Sequence, residues 1–371
     1  MPKFFSIVVP LLFIAFNLGD LQPALAAPPF YKQHNLVSDD TTLIPADHQD
    51  GLVVNAWGLA ASSTSPWWIA NNGTDSSSLF NAGNGTIPAL AVAIRGGVPT
   101  GVVFNNSGGG FVVQNGTAHG PAVFLFSSET GIISGWNPNV PPPAPSMQSQ
   151  VGAMVADAIY KGLAIAGTGA AARLYATNFH AGTVDVFDNT FKLLSLPGAF
   201  VDPSLPGGYA PFGIQNIGGT LYVTYALQGK DMHDEMAGPG LGYVDAYDTD
   251  GHLLKRVASA GALNAPWGLA MAPGEFGAFG GMLLVGNFGD GRINAYDLGA
   301  STTTGEAAPV GPLHGANGPP LVIEGLWALQ FGNGAGAGSR NTLFFTAGPF
   351  DEMHGLFGSI EPTDPPGRSG R

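Results

Sequence analysis

The sequence has no cysteine, few basic residues and one long apolar run. The absence of cysteine excludes disulfides, thiolate zinc sites, iron–sulfur clusters and cysteine nucleophiles. Only 13 of the 371 residues are Lys or Arg, and they are scattered almost singly. Because a phosphate backbone is bound by clustered basic residues, we expect no nucleic-acid partner. The net charge of −13 favours solubility and tolerance of cations.

The long apolar run lies at the N-terminus. It covers residues 4–18, follows Lys3 and precedes Ala24-Leu25-Ala26, a small-x-small cleavage pattern. A run of about 15 residues is short for a membrane span. We therefore predict a signal peptide over residues 1–26, a secreted or periplasmic protein, and no integral membrane span after cleavage. An uncleaved anchor is the alternative.

The rest of the chain is rich in glycine (56), in proline (30) and in apolar residues (45%). This apolar content suffices for a large core, which argues against general disorder. No long helical pattern interrupts the sequence, and glycine-rich turns separate short apolar runs. The pattern is typical of one all-β domain.

One short phrase recurs six times at spacings of roughly 40 to 60 residues, in or just above the range of propeller blades. It consists of a small or aromatic residue, glycine, an aliphatic residue, and then Ala or Gln. The copies are Asn55-Ala-Trp-Gly-Leu-Ala60, Pro211-Phe-Gly-Ile-Gln215, Asn264-Ala-Pro-Trp-Gly-Leu-Ala270 and Gly325-Leu-Trp-Ala-Leu-Gln330, the last with Ala in place of the glycine. Looser copies are Pro99-Thr-Gly-Val-Val-Phe104 and Tyr160-Lys-Gly-Leu-Ala-Ile165.

Further apolar runs with period-two alternation follow each copy, which indicates strands with one buried face. In the second repeat we take Phe111-Val-Val-Gln114 as the second strand. Each repeat then predicts a four-stranded antiparallel meander, with strands a to d numbered from the axis outward. The predicted fold is an all-β, six-bladed β-propeller over residues 27–360.

The last repeat ends after its third strand, Leu356-Phe-Gly-Ser-Ile360, while Asn35-Leu-Val-Ser38 belongs to no repeat. We predict that this N-terminal strand completes the last blade, because ring closure removes exposed sheet edges. Residues 302–320 are interpreted as a long connection, and residues 361–371 as a disordered tail.

The phrases Asn35-Leu-Val-Ser-Asp39, Asn55-Ala-Trp-Gly58, Ala265-Pro-Trp-Gly268 and His354-Gly-Leu-Phe-Gly358 resemble an uncharacterised family of exported bacterial propellers. Some relatives in that family carry a C-terminal PEP-CTERM sorting tail, which this sequence lacks. The blades also resemble, more remotely, NHL-type propellers. That superfamily implies lactonases, lyases or binding modules, so it does not fix a function.

The repeat assigns loops to faces, since the b–c and d–a loops of a four-stranded blade emerge on the same side. Six histidines are assigned to this face, and His34 and His252 lie elsewhere. The b–c loops receive His119, His180, His233 and His354, and the d–a loops receive His48 and His314. Carboxylates on the same face are Asp47, Asp50, Asp231, Asp234, Glu235, Asp290, Asp351 and Glu352.

These histidines suggest a metal site at the channel mouth. His119, His180, His233 and His354 are the candidate ligands for a divalent ion, Zn²⁺ or Ca²⁺, with a carboxylate as ligand or base. The alternative is that loops carry polar residues in any case. No local metal motif such as His-Glu-x-x-His supports the site.

Two further sets are candidate ligand contacts on this face. Asparagines recur after strand b, and aromatic residues recur on strand a. The asparagines either cap turns or donate hydrogen bonds to a ligand, and the aromatic rings either pack between blades or stack on a ligand. The members are Asn72, Asn115, Asn178 and Asn287, and Trp57, Phe212, Trp267 and Trp327.

Two functions remain open, and no catalytic motif decides whether the protein is an enzyme. The first is a secreted, monomeric binding module that holds a small molecule, a saccharide or a protein through this face. The second is a metal-dependent hydrolase or lyase of the NHL-propeller type, in which metal polarises a carbonyl and a carboxylate or histidine moves a proton.

Overall fold

The computed structural model describes residue 1 and residues 30–364. The predicted signal peptide after Met1 and the tail after residue 364 therefore lie outside the described residues. In the described part the chain forms six small, mainly antiparallel sheets arranged as a six-bladed propeller, and a separate two-stranded hairpin, which confirms the predicted fold. No helix of this part is long and apolar enough to cross a membrane.

Twenty-seven strands and three short 3₁₀ helices make up these residues. The N-terminal segment contains β1 (Phe30–Ser38) and β2 (His48–Gln49). Blade 1 contains β3 (Ala56–Ala60), β4 (Trp67–Asn71), β5 (Ser76–Phe80) and β6 (Val92–Ala93). Blade 2 contains β7 (Pro99–Phe104), an inserted hairpin of β8 (Val112–Asn115) and β9 (Ala118–Pro121), and then β10 (Phe124–Ser128), β11 (Ile132–Trp136) and β12 (Gln150–Met154).

The remaining blades follow the same order. Blade 3 contains β13 (Tyr160–Ala166), β14 (Arg173–Asn178) and β15 (Thr183–Asp188). Blade 4 contains β16 (Tyr209–Ile217), β17 (Thr220–Gln228), β18 (Glu235–Met236), β19 (Tyr243–Tyr247) and β20 (Leu253–Ser259). Blade 5 contains β21 (Pro266–Met271), β22 (Leu283–Asn287), β23 (Ile293–Ser301) and β24 (Ala307–Pro312), and blade 6 contains β25 (Leu326–Phe331), β26 (Leu343–Ala347) and β27 (Leu356–Thr363). The 3₁₀ helices are Asn72–Thr74, Gly169–Ala171 and Gly277–Phe279.

The N-terminal strand closes the ring as predicted. β1 pairs antiparallel with β27, from Phe30 opposite Thr363 to Ser38 opposite Leu356, and so becomes the fourth strand of blade 6. The paired region is longer than the sequence predicts, because β27 continues three residues past Ile360. The first and last parts of the domain are thereby held in one sheet.

Apolar clusters fill the six interfaces between neighbouring blades. One joins blades 1 and 2 through Trp68 and Phe126, and another joins blades 3 and 4 through Tyr175 and Val223. Each blade buries both faces, which explains why strand residues on both faces are apolar along the inner strands.

Glycine on the inner strands sets the distance between blades. A Cβ on Gly213 would lie 2.1 Å from the carbonyl oxygen of Trp267 in the next blade, and one on Gly58 would lie 2.4 Å from that of Thr100. Gly101 and Gly268 make equally close approaches. The recurring glycine is therefore required by the close contact of neighbouring inner strands.

Blade 2 differs from the prediction. Phe111–Gln114 was predicted as its second strand, but β8 pairs only with β9, and the strand next to β7 is β10. The assignment was wrong because a half-buried hairpin shows the same period-two alternation as a blade strand. The hairpin leaves blade 2 between strands a and b, so its residues lie on the face opposite to the one predicted.

Two smaller differences concern outer strands. Blade 3 has three regular strands, and its fourth is reduced to a bridge between Phe187 and Leu193. Prolines at positions 197, 203 and 206 follow that bridge and cannot donate to a ladder. The segment 302–320, predicted as a connection, contains β24, the outer strand of blade 5.

The inner-strand glycines generate a stability prediction. Gly213→Ala should destabilise the protein by about 1–3 kcal/mol, because its new methyl group meets a backbone carbonyl that has no room to move. Gly207→Ala is the matched control, since a Cβ there meets nothing within 4 Å. Urea unfolding measures both variants. Equal midpoints for Gly213→Ala and the wild type would contradict the close-packing explanation.

Candidate functional site

On each inner strand, the residue before the recurring glycine lies near the channel axis. In blade 6, Ala328 replaces that glycine. These residues lie on the face that carries the b–c loops. The six residues are Trp57, Thr100, Lys161, Phe212, Trp267 and Trp327. The rings of Trp57 and Trp327 stack with centroids 3.7 Å apart, and Trp267 lies edge-on to both at 6.2 and 5.9 Å. Phe212 meets Trp327 at 5.9 Å. The predicted aromatic contacts thus fill the channel, and their burial favours the packing alternative over an exposed rim.

Lys161 is the only charged member of this ring. Its side chain is 1% exposed, and its Nζ lies 2.5 Å from Glu129 Oε1 and 3.3 Å from Asp234 Oδ1. The ammonium also lies 5.1 Å from the centroid of the Trp57 ring, a cation–π contact. Burial alone would lower the pKa of Lys161, but the carboxylates of Glu129, Glu235 and Asp234 raise it above its usual value. Lys161 is therefore an ammonium, and it is no nucleophilic amine at neutral pH.

Four carboxylates surround this ammonium, and they come from the b–c loops of three blades. Glu129 follows β10 in blade 2, Asp234 and Glu235 belong to the loop of blade 4, and Glu352 belongs to the loop of blade 6. Glu235 is held by the pairing of β18 with β17, in which it lies opposite Gln228. We call Lys161 and these four carboxylates the mouth cluster.

Two members of the mouth cluster are carboxyls with raised pKa values. Burial raises the pKa of Glu235 to about 7, and Glu352 and Asp234 add to this effect while Lys161 opposes it. Burial also raises the pKa of Glu352, against the hydrogen bond from Asn55 and the charge of Lys161. By contrast, the pKa of Asp234 is lowered, because the hydrogen bond with His233 and the charge of Lys161 outweigh its burial. Around neutral pH the Glu235 carboxyl is therefore partly protonated.

An asparagine network connects the cluster to blade 1. Asn55 Oδ1 accepts hydrogen bonds from the indole nitrogens of Trp57 (2.9 Å) and Trp327 (3.0 Å). Its Nδ2 donates to Glu352 at 2.6 Å and to Asn72 at 3.3 Å. Asn72 in turn donates to Glu129 at 3.0 Å. The channel-filling rings of Trp57 and Trp327 and the carboxylates are thus held by one connected set of hydrogen bonds.

The loop that carries Glu352 is strained. Phe350, Asp351 and Glu352 have φ values of 58°, 51° and 65°, three consecutive left-handed residues without a glycine among them. This conformation costs roughly 1–2 kcal/mol per residue. Strain of this kind is concentrated at functional sites, where it holds a side chain in place.

The predicted histidine ligands do not converge. His233 lies at the edge of the mouth cluster, 2.7 Å from Asp234, whereas His354 bonds Asp39 at 2.7 Å. His180 lies in the b–c loop of blade 3, where its buried Nδ1 has no hydrogen-bond partner among the described residues. His119 lies in β9 of the inserted hairpin, so its predicted place in a b–c loop was wrong. In the described part of the chain, the one group of three metal-capable residues within 4.8 Å of one another is Glu129, His233 and Asp234.

Of the four predicted asparagines in the described chain, Asn72 alone donates a hydrogen bond to the mouth cluster. Asn178 accepts hydrogen bonds from the backbone at residues 159 and 181, and Asn287 donates to Ala262 and Asp290, so both hold turns. Asn115 lies in the inserted hairpin and donates to Gln150. The prediction that Asn115 follows the second strand of blade 2 was wrong for the same reason as for His119.

Lys161, Glu129 and Asn55 were not predicted from the sequence as site residues. Lys161 occupies the repeat position that is aromatic in four blades. An alignment of the six repeat copies therefore identifies it as an unusual residue at that position. Glu129 is found once β10 is recognised as the second strand of blade 2. The Asn115-Gly116 turn, a typical hairpin signal, was the available evidence for that insertion.

Comparison with known proteins places the chain among viral relatives. No protein-family model matches the sequence. An uncharacterised protein of Acanthamoeba polyphaga mimivirus is 35% identical over 339 residues, which cover 89% of this chain and 80% of the relative. A second uncharacterised mimivirus protein is 34% identical over 343 residues, covering 89% of this chain and 85% of the relative.

One solved structure supports the propeller fold. A glucose dehydrogenase superposes with a TM-score of 0.50 at 12% identity, covering 90% of this chain and 100% of that chain. A streptogramin B lyase has a TM-score of 0.48 at 12% identity, covering 90% and 98%. At such low identity the first likeness shows the propeller fold and nothing about the reaction.

The interpretation of the chain as a member of an exported bacterial family is wrong, because the relatives that define its family are encoded by a virus. Sequence identity above 30% along most of both chains makes the assignment clear. The chain belongs to the same family as these uncharacterised mimivirus proteins.

Proposed function

We propose that the protein is a ligand-binding propeller whose ligand presents an ammonium group to the mouth cluster. The observation that carries this proposal is the excess of carboxylates around Lys161. One ammonium faces four carboxylates from three blades, and two of those carboxyls have pKa values raised by burial. A ligand ammonium would supply the positive charge that Glu235 and Glu352 lack.

A purely structural salt bridge is the competing explanation. Glu129 and Asp234 already neutralise Lys161 and join blades 2, 3 and 4. These ion pairs need neither Glu235 nor Glu352, whose partial burial costs more free energy than the shared charge of Lys161 compensates, as their raised pKa values indicate. The left-handed residues of the blade 6 loop add a further cost. Two half-buried carboxyls with raised pKa values, in addition to these ion pairs, therefore favour a site that is completed by a ligand.

The surroundings of the carboxylates favour an organic ammonium over a bare ion. Exposed apolar side chains flank the acidic residues on the loops of blades 4 and 6. They are Met232 (42% exposed), Met236 (50%), Phe350 (44%) and Met353 (67%). Thioether and phenyl groups next to carboxylates suit a ligand with a cationic head and an apolar body.

A second candidate function is a metal-dependent hydrolase or lyase, as the sequence suggests. Glu129, His233 and Asp234 offer two carboxylates and an imidazole within 4.8 Å of one another. This donor set suits Zn²⁺, or Ca²⁺ with further oxygen ligands, and a metal there would polarise a carbonyl. The ion would have to displace Lys161 from Glu129 and Asp234, which makes this function the second choice.

We also propose that the chain is exported and loses residues 1–26. Lys3, the apolar residues 4–18 and Ala24-Leu25-Ala26 support this proposal.

The ammonium site predicts binding coupled to proton release. Butylammonium should bind more tightly than ethylammonium, because its longer chain reaches the exposed apolar side chains on the loops of blades 4 and 6. Since the Glu235 carboxyl is deprotonated above its pKa of about 7, affinity should rise as the pH increases through that value. Calorimetry in two buffers of different ionisation enthalpy measures affinity and released protons together.

Glu235→Gln removes the charge and the titrating proton. It should weaken butylammonium binding by about tenfold and abolish proton release near neutral pH. Asp351→Asn is the matched control, since Asp351 is an exposed carboxylate next to Glu352. Butylammonium affinity that is unchanged by Glu235→Gln would refute the proposed site.

The metal-dependent alternative predicts bound ion in protein purified without chelators. Elemental analysis should then find stoichiometric zinc or calcium, and His233→Ala should lose it because the imidazole ligand is gone. His119→Ala, on the opposite face, should keep it. Metal-free wild-type protein would eliminate this second function.

Export predicts that protein recovered outside the producing cell begins at Ala27. Intact mass spectrometry distinguishes it from the full chain, because removal of 26 residues is far outside measurement error. Extracellular protein that retains residues 1–26 would argue against the cleavage.

A further inference from the structure

We propose that the uncovered edge of blade 3 binds an extended peptide with a basic residue, which becomes the fourth strand of that blade. The other five blades each have at least four strands in the described chain, whereas the last regular strand of blade 3 is β15. Strand addition to a free sheet edge is a common mode of peptide recognition, in which backbone hydrogen bonds supply affinity and side chains supply specificity. We call residues 183–185, the first half of β15, the open edge.

The chain itself covers the second half of β15 and then turns away. The backbone N–H of Leu194 donates a hydrogen bond of 2.8 Å to the carbonyl of Val186. Pro197 follows three residues later, and it has no N–H with which to continue a ladder. Within residues 30–364 the open edge therefore has no strand partner on its outer side.

Strand geometry gives the direction of the free backbone groups. In an antiparallel ladder the N–H and C=O of one residue point to the same side, and the side alternates along the strand. Val186 accepts from the outer segment and Asp188 donates to it, so both point outward. By alternation the N–H and C=O of Val184 also point outward, where no group of residues 30–364 bonds them. Thr183 is exposed and Asp185 is half-buried, so the open edge is accessible.

Blade 4 shows which side chain a fourth strand contributes. The sequences at the start of the third strands of blades 3 and 4 are alike, Gly182-Thr-Val-Asp185 and Gly242-Tyr-Val-Asp245. In blade 4 the fourth strand places Arg256 directly opposite Asp245, and the guanidinium forms an ion pair with that carboxylate. Asp185 is the equivalent residue of blade 3, so a strand added to the open edge would place a side chain opposite it.

Asp185 lacks the corresponding cation. Its carboxylate accepts hydrogen bonds from the hydroxyl of Tyr160 at 2.8 Å, from the amide of Asn178 at 3.0 Å and from the hydroxyl of Thr183 at 3.1 Å. These donors are neutral, and no Lys, Arg or His of residues 30–364 forms an ion pair with Asp185. An arginine of the added strand would supply this charge, as Arg256 does in blade 4. Charge complementarity thus defines the partner as an extended polypeptide segment with an arginine.

The test uses the whole chain and a synthetic peptide with the sequence of residues 253–259, Leu-Leu-Lys-Arg-Val-Ala-Ser, because this strand completes blade 4. NMR should show saturable binding, slower hydrogen exchange of the Val184 amide and unchanged exchange in β19. A second peptide, with alanine in place of the arginine, should bind about tenfold more weakly, since it loses a hydrogen bond between charged groups.

Asp185→Asn should weaken binding of the arginine peptide by a similar factor and leave binding of the alanine peptide unchanged. This double comparison separates loss of the contact from a general change in structure. Asp157→Asn is the matched control, because Asp157 is an exposed carboxylate in the loop before β13. No saturable binding, or binding that leaves the Val184 amide unprotected, would overturn the proposal. Equal affinities of the two peptides for the wild-type protein would also overturn it.

Discussion

The close approach of the six inner strands is the constraint on which the rest of the structure depends. Neighbouring strands come so near at Gly58, Gly101, Gly213 and Gly268 that a Cβ would collide with backbone. The residue before each of these positions then lies near the axis. Aromatic rings at four of the six positions fill the channel, and a lysine at a fifth creates a charge that the protein has to accommodate.

The mouth cluster follows from that charge. A buried ammonium is costly unless it is paired, and Glu129 and Asp234 pair with Lys161. Buried ion pairs add little net stability, so their presence does not by itself explain why the site exists. The additional carboxyls, Glu235 and Glu352, increase the cost and share the single charge of Lys161. The proposed cationic ligand would supply the charge that they lack.

The sequence predicted the fold well because the fold is a repetition. Six copies of one phrase gave the number of blades, and the unpaired strand at Asn35 gave the closure. The error in blade 2 arose because an inserted hairpin and a blade strand share the same alternation of apolar residues. Only pairing partners distinguish them, and these depend on contacts far apart in sequence.

The site was predicted less well, for a different physical reason. The order of the loops assigns a residue to one face of the propeller. It does not give the distance of that residue from the channel axis or the direction of its side chain. His354 and Glu352 are two residues apart, yet the histidine bonds Asp39 while the half-buried glutamate interacts with Lys161. The search for metal-binding histidines also passed over Lys161, whose repeat position was the stronger signal. The distances between blades determine which charged side chains come into contact. These distances depend on the packing of the whole domain and cannot be read from a local motif.

The most direct measurement of the central claim is the titration of the Glu235 carboxyl by ¹³C NMR, with and without butylammonium. The account predicts a pKa of about 7 in the free protein, since burial raises the pKa more than the charge of Lys161 lowers it. It predicts a marked decrease once butylammonium is bound. A carboxyl that titrates near its ordinary value, or one that does not respond to the ligand, would contradict a cation site at the mouth of the propeller.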